Sequence, residues 1–370
     1  MYHGFAKFIR GRAFSFLFLF VSICFTGYLS FRLGNLIEYF TSFPAHILIL
    51  LVSCVLFGYM LFYANSRKAE KHTYKLYGAC SVALCFALNI ALCFLLFDCI
   101  KIFVPFENVG LYAIPAIASV FLSLYGFIHA KHITLKTYHV PLGNHNKNVR
   151  LALISDIHFG TFVDKKQLHK IIDTVNASNC DYVIIAGDIF DVDAFWHCNL
   201  EELSAELKTL KPAKKTYASL GNHDPKSTNP KLLAFFQAAQ IDLLVDQADE
   251  TPDFTIIGRD DITTNPERKV LSSILCGNHP GKPTIVIDHN PAGIDEGVQN
   301  KVDLILCGHT HKGQFFPATL FTKWSYGNRG FYGCCKTGCT TSVVSSGAGF
   351  FQMPMRTGSN SEVVVIDLAM

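Results

Sequence analysis

Polar and apolar positions divide the 370-residue chain into two unlike parts. From residue 13 to 128 charges are sparse and apolar residues run almost unbroken. Beyond 131, short apolar runs alternate with polar clusters. Four long apolar segments stand out in the first part, near 13–33, 43–64, 76–97 and 109–128. Each approaches the ~20 residues a helix needs to cross a bilayer. The pattern therefore predicts an N-terminal bundle of about four transmembrane helices over 1–130, with three spans and one buried helix as the alternative. The first segment is too long for the apolar core of a secretory leader, and no small-x-small cleavage site precedes Arg32. The fourth carries Pro115, which membrane helices tolerate.

The second part reads differently. Residues 131–148, with "YHVPLGNHNKN", look like a connector, and 149–370 like a folded domain. Its apolar runs are short and rich in Val, Ile and Leu: "VRLALI", "YVIIA", "KTYAS", "FTIIG", "TIVI", "DLILC", "TTSVV" and "EVVVIDL". Such runs suit strands buried on both faces. Helical stretches near Lys165–Ala177 and Leu200–Leu210 separate them. The alternation predicts an α/β domain with helices outside strands, and leaves open one sheet or two.

Charge refines the picture. Lys7, Arg10, Arg12, Arg67, Lys68, Lys71, Lys75, Lys131 and Lys136 flank one set of span ends; Arg32 and Lys101 flank the other. Positive residues favour the inner face. A four-helix topology would then put both termini and the domain in the cytoplasm of a multi-pass membrane protein. A net charge of +3 gives no strongly basic surface, so no nucleic-acid partner is expected. Thirteen cysteines, an odd number without regular spacing, suit a reducing compartment. "CCKTGC" (Cys334, Cys335, Cys339) lacks a second ligand pair at zinc-site spacing and reads as loop thiols. In the helical part, Asn89 and His46 read as helix–helix hydrogen-bonding groups.

Chemistry concentrates where the apolar runs stop. Five of them end in Asp, Asn or His: Asp156-Ile157-His158, Gly187-Asp188 with Asp191, Gly221-Asn222-His223-Asp224, Asp288-His289, and Gly308-His309-Thr310-His311. Carboxyl ends of strands converge on ligand sites in α/β sheets. That many carboxylates and imidazoles in one volume call for divalent cations. Residues two apart on an extended strand point the same way, so Asp156 and His158, and His309 and His311, can each serve one centre. The preceding glycines would let the backbone turn sharply. Mixed oxygen and imidazole donors favour Mn, Fe, Zn or Co over Ca.

The ordered series "DIH", "GDIFD", "GNHD", the His of "DHNP", and "GHTH" resembles the calcineurin-like metallophosphoesterase superfamily, over about 149–370. "GHTHKGQFFP", "SSGAGFFQMPMR" and the final "EVVVIDL" are similar to a membrane-attached bacterial branch of it. The resemblance implies two packed β-sheets flanked by helices, and two metal ions at the strand ends. It implies Asp156, His158, Asp188 and His311 at the first ion. Asp188, Asn222, His289 and His309 would hold the second, with Asp188 bridging. His223 would be proton donor or charge stabiliser, and Asp191 and Asp224 would orient other groups. A water bridging two such ions is acidified and attacks phosphorus in line. The expected activity is hydrolysis of a phosphodiester or pyrophosphate, small-molecule or lipid-linked. The alternative is a membrane sensor or scaffold that binds a phosphorylated ligand through the same domain. The apolar stretch after His311, with Phe315, Phe316, Phe321 and Trp324, packs internally or forms a lip for acyl chains. The oligomeric state is not legible.

Overall fold

The structure, a computed structural model, describes residues 12–65, 71–143, 147–191, 194–275 and 281–370. The chain forms two compact units. One holds the N-terminal helices up to Ile128 together with Gln352–Met355, and the other holds His129–Phe351 and Arg356–Met370.

The helical unit contains α1 (Arg12–Thr41), α2 (His46–Asn65), α3 (Lys71–Phe103) and most of α4 (Ala113–Ala130). Among the described residues three segments are long and apolar enough to cross a membrane: Phe20–Thr41, Leu76–Phe103 and Val109–Ala130. The expected count of four is corrected to three. The segment near 43–64 does form a helix, but its described apolar part is only His46–Leu56. Nor is α2 a buried helix, since Ile47, Leu51 and Val55 are exposed. Pro115 falls in the first turn of α4, where its missing N–H costs no intrahelical bond. Asn89 Nδ2 donates to Ser123 Oγ at 2.8 Å and to Met355 Sδ at 3.4 Å. His46 Nε2 meets Asn35 Oδ1 at 2.8 Å. Both groups join separate helices, or helix and loop, as side chains without water must. Arg32 pairs with Asp98 at 2.8 Å, and Tyr28 and Tyr112 donate to the same carboxylate.

The second unit is built on two six-stranded sheets. The first has the order β1-β12-β2-β3-β4-β5 and the second β10-β11-β9-β8-β7-β6. Their strands are β1 (Ile133–Pro141), β2 (Asn148–Ile154), β3 (Tyr182–Ala186), β4 (Lys215–Ser219), β5 (Asp242–Leu243), β6 (Gln247–Glu250), β7 (Thr255–Gly258), β8 (Thr284–Ile287), β9 (Leu304–Cys307), β10 (Gly333–Thr337), β11 (Thr340–Val344) and β12 (Ser361–Ala369). Pairing is parallel except at β12–β2, β10–β11 and β6–β7. The structure thus places a strand inside the stretch read as a connector. β1 pairs along its whole length with β12, from Ile133 opposite Ser361 to Pro141 opposite Ala369.

Alternation explains the continuous apolar runs. In β3, Val183 and Ile185 face one core, and Tyr182, Ile184 and Ala186 another. The second core lies between the sheets, where Leu151, Leu153 and Ile366 meet Ile256, Ile285, Leu304 and Val343. On the outer face of the first sheet lie α5 (Lys165–Ala177), α6 (Leu200–Leu207) and α7 (Pro230–Ala239). Asp164 caps α5 by accepting the Gln167 N–H at 2.8 Å. Leu168, Ile171, Ile172 and Val175 then fall on one buried face, at the spacing of a 3.6-residue helix. Each such side chain contributes about 1.5–3 kcal/mol of burial. A last helix, α8 (Ala318–Phe331), is broken at Gly327.

Candidate metal centre

Every expected site residue follows the carboxyl end of a parallel strand: Asp156 and His158 after β2, Asp188 after β3, Asn222 to Asp224 after β4, His289 after β8, and His309 and His311 after β9. Because both sheets deliver their ends to one edge, the motifs converge. Asp156, His158 and His311 offer ligand atoms within 4.8 Å of one another, and so do Asp156, Asp188 and His289. The two sets share Asp156, and Asp188 is in the second only. His158 Nε2 lies 3.1 Å from His311 Nε2 and 3.7 Å from Asp188 Oδ2. His311 Nε2 lies 3.4 Å from Asp156 Oδ1.

The local route to this geometry differs from an extended strand. Asp156 (φ 51°), His158 (φ 49°), Asp188 (φ 53°), His309 (φ 71°) and His311 (φ 48°) are all left-handed. Non-glycine residues rarely adopt that region, and such strain clusters at functional sites. Asp156 and His158 reach one centre through tight turns after the strand, so the period-two argument does not apply to them; His311 joins that group, whereas His309 is in neither group. The glycines also divide in role. Gly187 has φ 72°, a turn only glycine makes without cost. Gly308 provides clearance instead: a Cβ there would sit 2.3 Å from Asp156 Oδ2.

Asp224 ties two of the loops together. Its carboxylate accepts the N–H groups of Asp188 (2.8 Å), Ile189 (2.9 Å), Phe190 (3.2 Å) and Gly221 (2.9 Å). Burial, then the charge of Asp188, pushes it up to about 7. Asp188 Oδ1 accepts the His223 N–H at 2.8 Å. Asp156 accepts the His309 N–H at 3.0 Å. Asp191 is buried beside them, its N–H donating to the Phe159 carbonyl. His309 lies 5.2 Å from His289, ring to ring, and its Nε2 is 3.3 Å from Asn290 Nδ2. His223 is half-buried, its ring 5.2 Å from His158 and 4.6 Å from Phe351.

The donor set fits divalent cations. His289 Nδ1 meets the Ala186 carbonyl at 2.8 Å, which only accepts, so Nδ1 carries the proton. Nε2 then faces Asp188 Oδ2 at 3.2 Å without a hydrogen bond. A lone pair against a carboxylate oxygen is repulsive unless a proton or a cation lies between. The ion-free site takes the proton: burial opposes it, but Asp188 raises the His289 pKa well above the ordinary value. Buried His158 Nδ1 and Asn222 Oδ1 also lack hydrogen-bond partners. Burial holds His158 and His311 well below the usual histidine range, and His309 at about 4. Neutral imidazole is the form that ligates metal.

Two residues escaped the sequence reading. Arg356 is wholly buried, and its guanidinium donates to the carbonyls of Ser346 (2.7 Å) and Gly349 (2.5 Å) and to Ser359 Oγ (2.6 Å). It lies 3.4 Å from His311 Nδ1, and burial lowers its pKa to about 10. No carboxylate among the described residues comes within ion-pair distance of it. The signal was an arginine in the apolar loop "GAGFFQMPMR". Phe351, from the same loop, covers His158 and His223; Gln314 holds it by accepting its N–H (2.9 Å) and donating to its carbonyl (3.1 Å).

The comparisons with known proteins agree with this geometry. The profile of the calcineurin-like phosphoesterases matches residues 149–313. An uncharacterized metallophosphoesterase of Helicobacter pylori is 28% identical over 242 residues, 63% of this chain and 63% of that protein. A transmembrane protein with metallophosphoesterase domain from Danio rerio is 30% identical, over 67% of this chain and 60% of its own. Phosphodiesterase YaeI of Escherichia coli is 28% identical over 45% of this chain and 61% of its own. The chain thus spans a little under two thirds of the length of these curated relatives. Motif order, strand-end placement and similarity converge on one statement: residues 149–313 form a calcineurin-like phosphoesterase domain.

Proposed function

We propose that the protein is a membrane-anchored hydrolase that cleaves a lipid-linked phosphodiester or pyrophosphate with the help of two divalent cations. The observation that carries this reading is the His289–Asp188 pair, an imidazole nitrogen 3.2 Å from a buried carboxylate oxygen beside buried, neutral imidazoles. Asp156, His158, Asp188 and His311 would hold one ion. Asp188, Asn222, His289 and His309 would hold the other, with Asp156 in reach of both groups. Mn, Fe, Zn or Co suits these donors. When bound, two such ions acidify the attacking water and neutralise charge on the phosphoryl oxygens.

The chain's own residues do the rest. Asp224 fixes the β3 and β4 loops against each other, which sets Asp188 and His223 in register. The attacking water gives up a proton to solvent as its oxygen bonds to phosphorus, the opposite P–O bond breaks, and the leaving oxygen takes a proton from His223. Phe351 covers the His158 and His223 rings and limits water there.

Three apolar helices and the named zebrafish relative support a membrane location. Lys131 and Lys136, just past the last span, favour a cytoplasmic domain. A reporter fused after Met370 reads that orientation. The lipid link rests on α8. Phe316, Leu320, Phe321 and Trp324 are 45–69% exposed rather than packed inside, and they follow His311 directly. Phe321→Ser with Trp324→Ser would lower turnover of a lipid pyrophosphate more than that of a soluble phosphodiester. The deciding experiment is metal analysis of the purified protein, with turnover of phosphomonoesters, phosphodiesters and lipid pyrophosphates. About two ions per chain and metal-dependent cleavage are expected. Full activity after chelation would overturn the reading.

A further inference from the structure

A cavity of about 230 Å³ opens beside the β4 loop. Gly221, Asp224, Pro225, Lys226, Ser227 and Thr228 line one wall, and Asp260, Thr264 and Asn265 the other. Complete ligand pockets are about 300–1,000 Å³, so this one suits part of a ligand. Its position decides which part. Gly221 and Asp224 flank Asn222 and His223 in sequence, so the cavity lies beside the loop that carries His223, which is itself not part of the lining.

Its chemistry decides the class. Apart from Leu220 and Pro225 the lining side chains are polar, which is unsuited to an acyl chain. Asp260 is already engaged: Oδ1 accepts the Asp261 N–H at 3.0 Å and Oδ2 accepts Asn265 Nδ2 at 2.9 Å. Lys226 is exposed, and among the described residues its ammonium has no hydrogen-bond or ion-pair partner. Ser227 and Thr228 stand next to it. Lys226 is thus the uncommitted charged donor of the lining, next to the Ser227 and Thr228 hydroxyls and to the Asp224 and Asp260 carboxylates, which already accept hydrogen bonds.

We propose that this cavity is the leaving-group subsite and that it takes a group bearing its own phosphate and hydroxyls, with Lys226 as the residue that reads the negative charge. The proposal rests on the hydrolase reading above. It favours pyrophosphate diesters over simple phosphodiesters, because cleavage of a pyrophosphate releases a phosphate-bearing group.

The test compares P1,P2-di(adenosine-5′) pyrophosphate, which releases adenosine monophosphate, with bis(4-nitrophenyl) phosphate, whose leaving group has no phosphate. Lys226→Ala is expected to raise KM for the first about tenfold more than for the second. Lys226→Arg should restore most of the difference, since either cation meets a phosphate. Equal effects on both substrates, or a wild-type enzyme that cleaves only the nitrophenyl ester, would overturn the subsite and leave the hydrolase standing. If neither ester is cleaved with any of the four metals, the hydrolase reading fails. Calorimetry with adenosine monophosphate then decides the subsite: weaker binding to Lys226→Ala supports it, and equal affinity sinks it.

Discussion

The two ends of the sheets bury charge in opposite ways. At the amino ends of the strands, the Asp253 carboxylate is as inaccessible as that of Asp156. It nevertheless receives Lys147, Lys214 and the Tyr182 hydroxyl, the last at 2.7 Å. Its neighbour Asp249 takes Lys215 at 3.0 Å and Tyr217 at 2.7 Å. None of these residues has a left-handed backbone. At the carboxyl ends, carboxylates meet imidazoles with unpaired nitrogens, and five of the residues are left-handed. Buried charge therefore does not itself mark a site. Saturation marks structure, and orphaned atoms on strained backbone mark a place for a ligand.

The comparison breaks most decisively at Asp188. Asp188→Asn keeps the shape and removes the charge between the two ligand sets. Bound metal should fall below one ion per chain. Hydrolysis should drop by more than the about 10²–10³-fold that loss of one preorganised contact costs. The ion-free protein should lose stability, because Asp188 is the buried partner of protonated His289 and removing one member of such a pair is destabilising. Two bound ions in this variant would dissolve the assignment.

His223→Ala comes next. As general acid, His223 should contribute about 10²–10⁴ in rate. Metal content should hold, since His223 is not among the ligands. The loss should shrink for nitrophenyl esters, whose leaving groups need little protonation. An equal loss for good and poor leaving groups would point to charge stabilisation instead.

Arg356 sharpens the boundary between the two kinds of burial. Its donors are spent on carbonyls and Ser359, yet Nε is orphaned and His311 lies 3.4 Å away. Arg356→Met should loosen the Ser346–Gly349 loop and His311. Metal affinity would fall about 10–100-fold, as when partners behind a ligand are removed. Equilibrium dialysis of the variant measures this, and unchanged affinity would make Arg356 a scaffold residue only.

How much of this was legible depended on whether a signal was local. Strand ends tipped with Asp and His are local, so His289 and His311 could be placed from "DHNP" and "GHTH". The two-sheet arrangement is not local: β8 and β3 carry similar apolar runs, and only pairing assigns them to different sheets. β1 was hidden for the same reason. "ITLKTYHVP" is half-exposed and acquires its identity by pairing with β12, more than 200 residues later. Arg356 needed the folded loop to bring it under His311.

The smallest expected effect lies at the saturated end. Asp253→Asn removes the charge that Lys147, Lys214 and Tyr182 share. The lysines are 54% and 35% exposed, so their ammonium groups turn to water. The Tyr182 hydroxyl keeps an amide partner of poorer strength. A loss of about 1–3 kcal/mol follows, with metal content unchanged. The pH dependence fixes the cause. Burial acts to raise the Asp253 pKa, but the three donors outweigh it and hold the carboxyl at about 2. An unfolded aspartate titrates near 3.9. The folded value is the lower one, so the wild-type advantage is complete above about pH 4 and fades as pH falls toward 2. Thermal unfolding of both proteins in detergent, from pH 7 down to 2.5, should show the gap closing only below pH 4. A gap constant over that range would mean that the carboxylate's charge contributes nothing, and that the saturated end is held by packing alone.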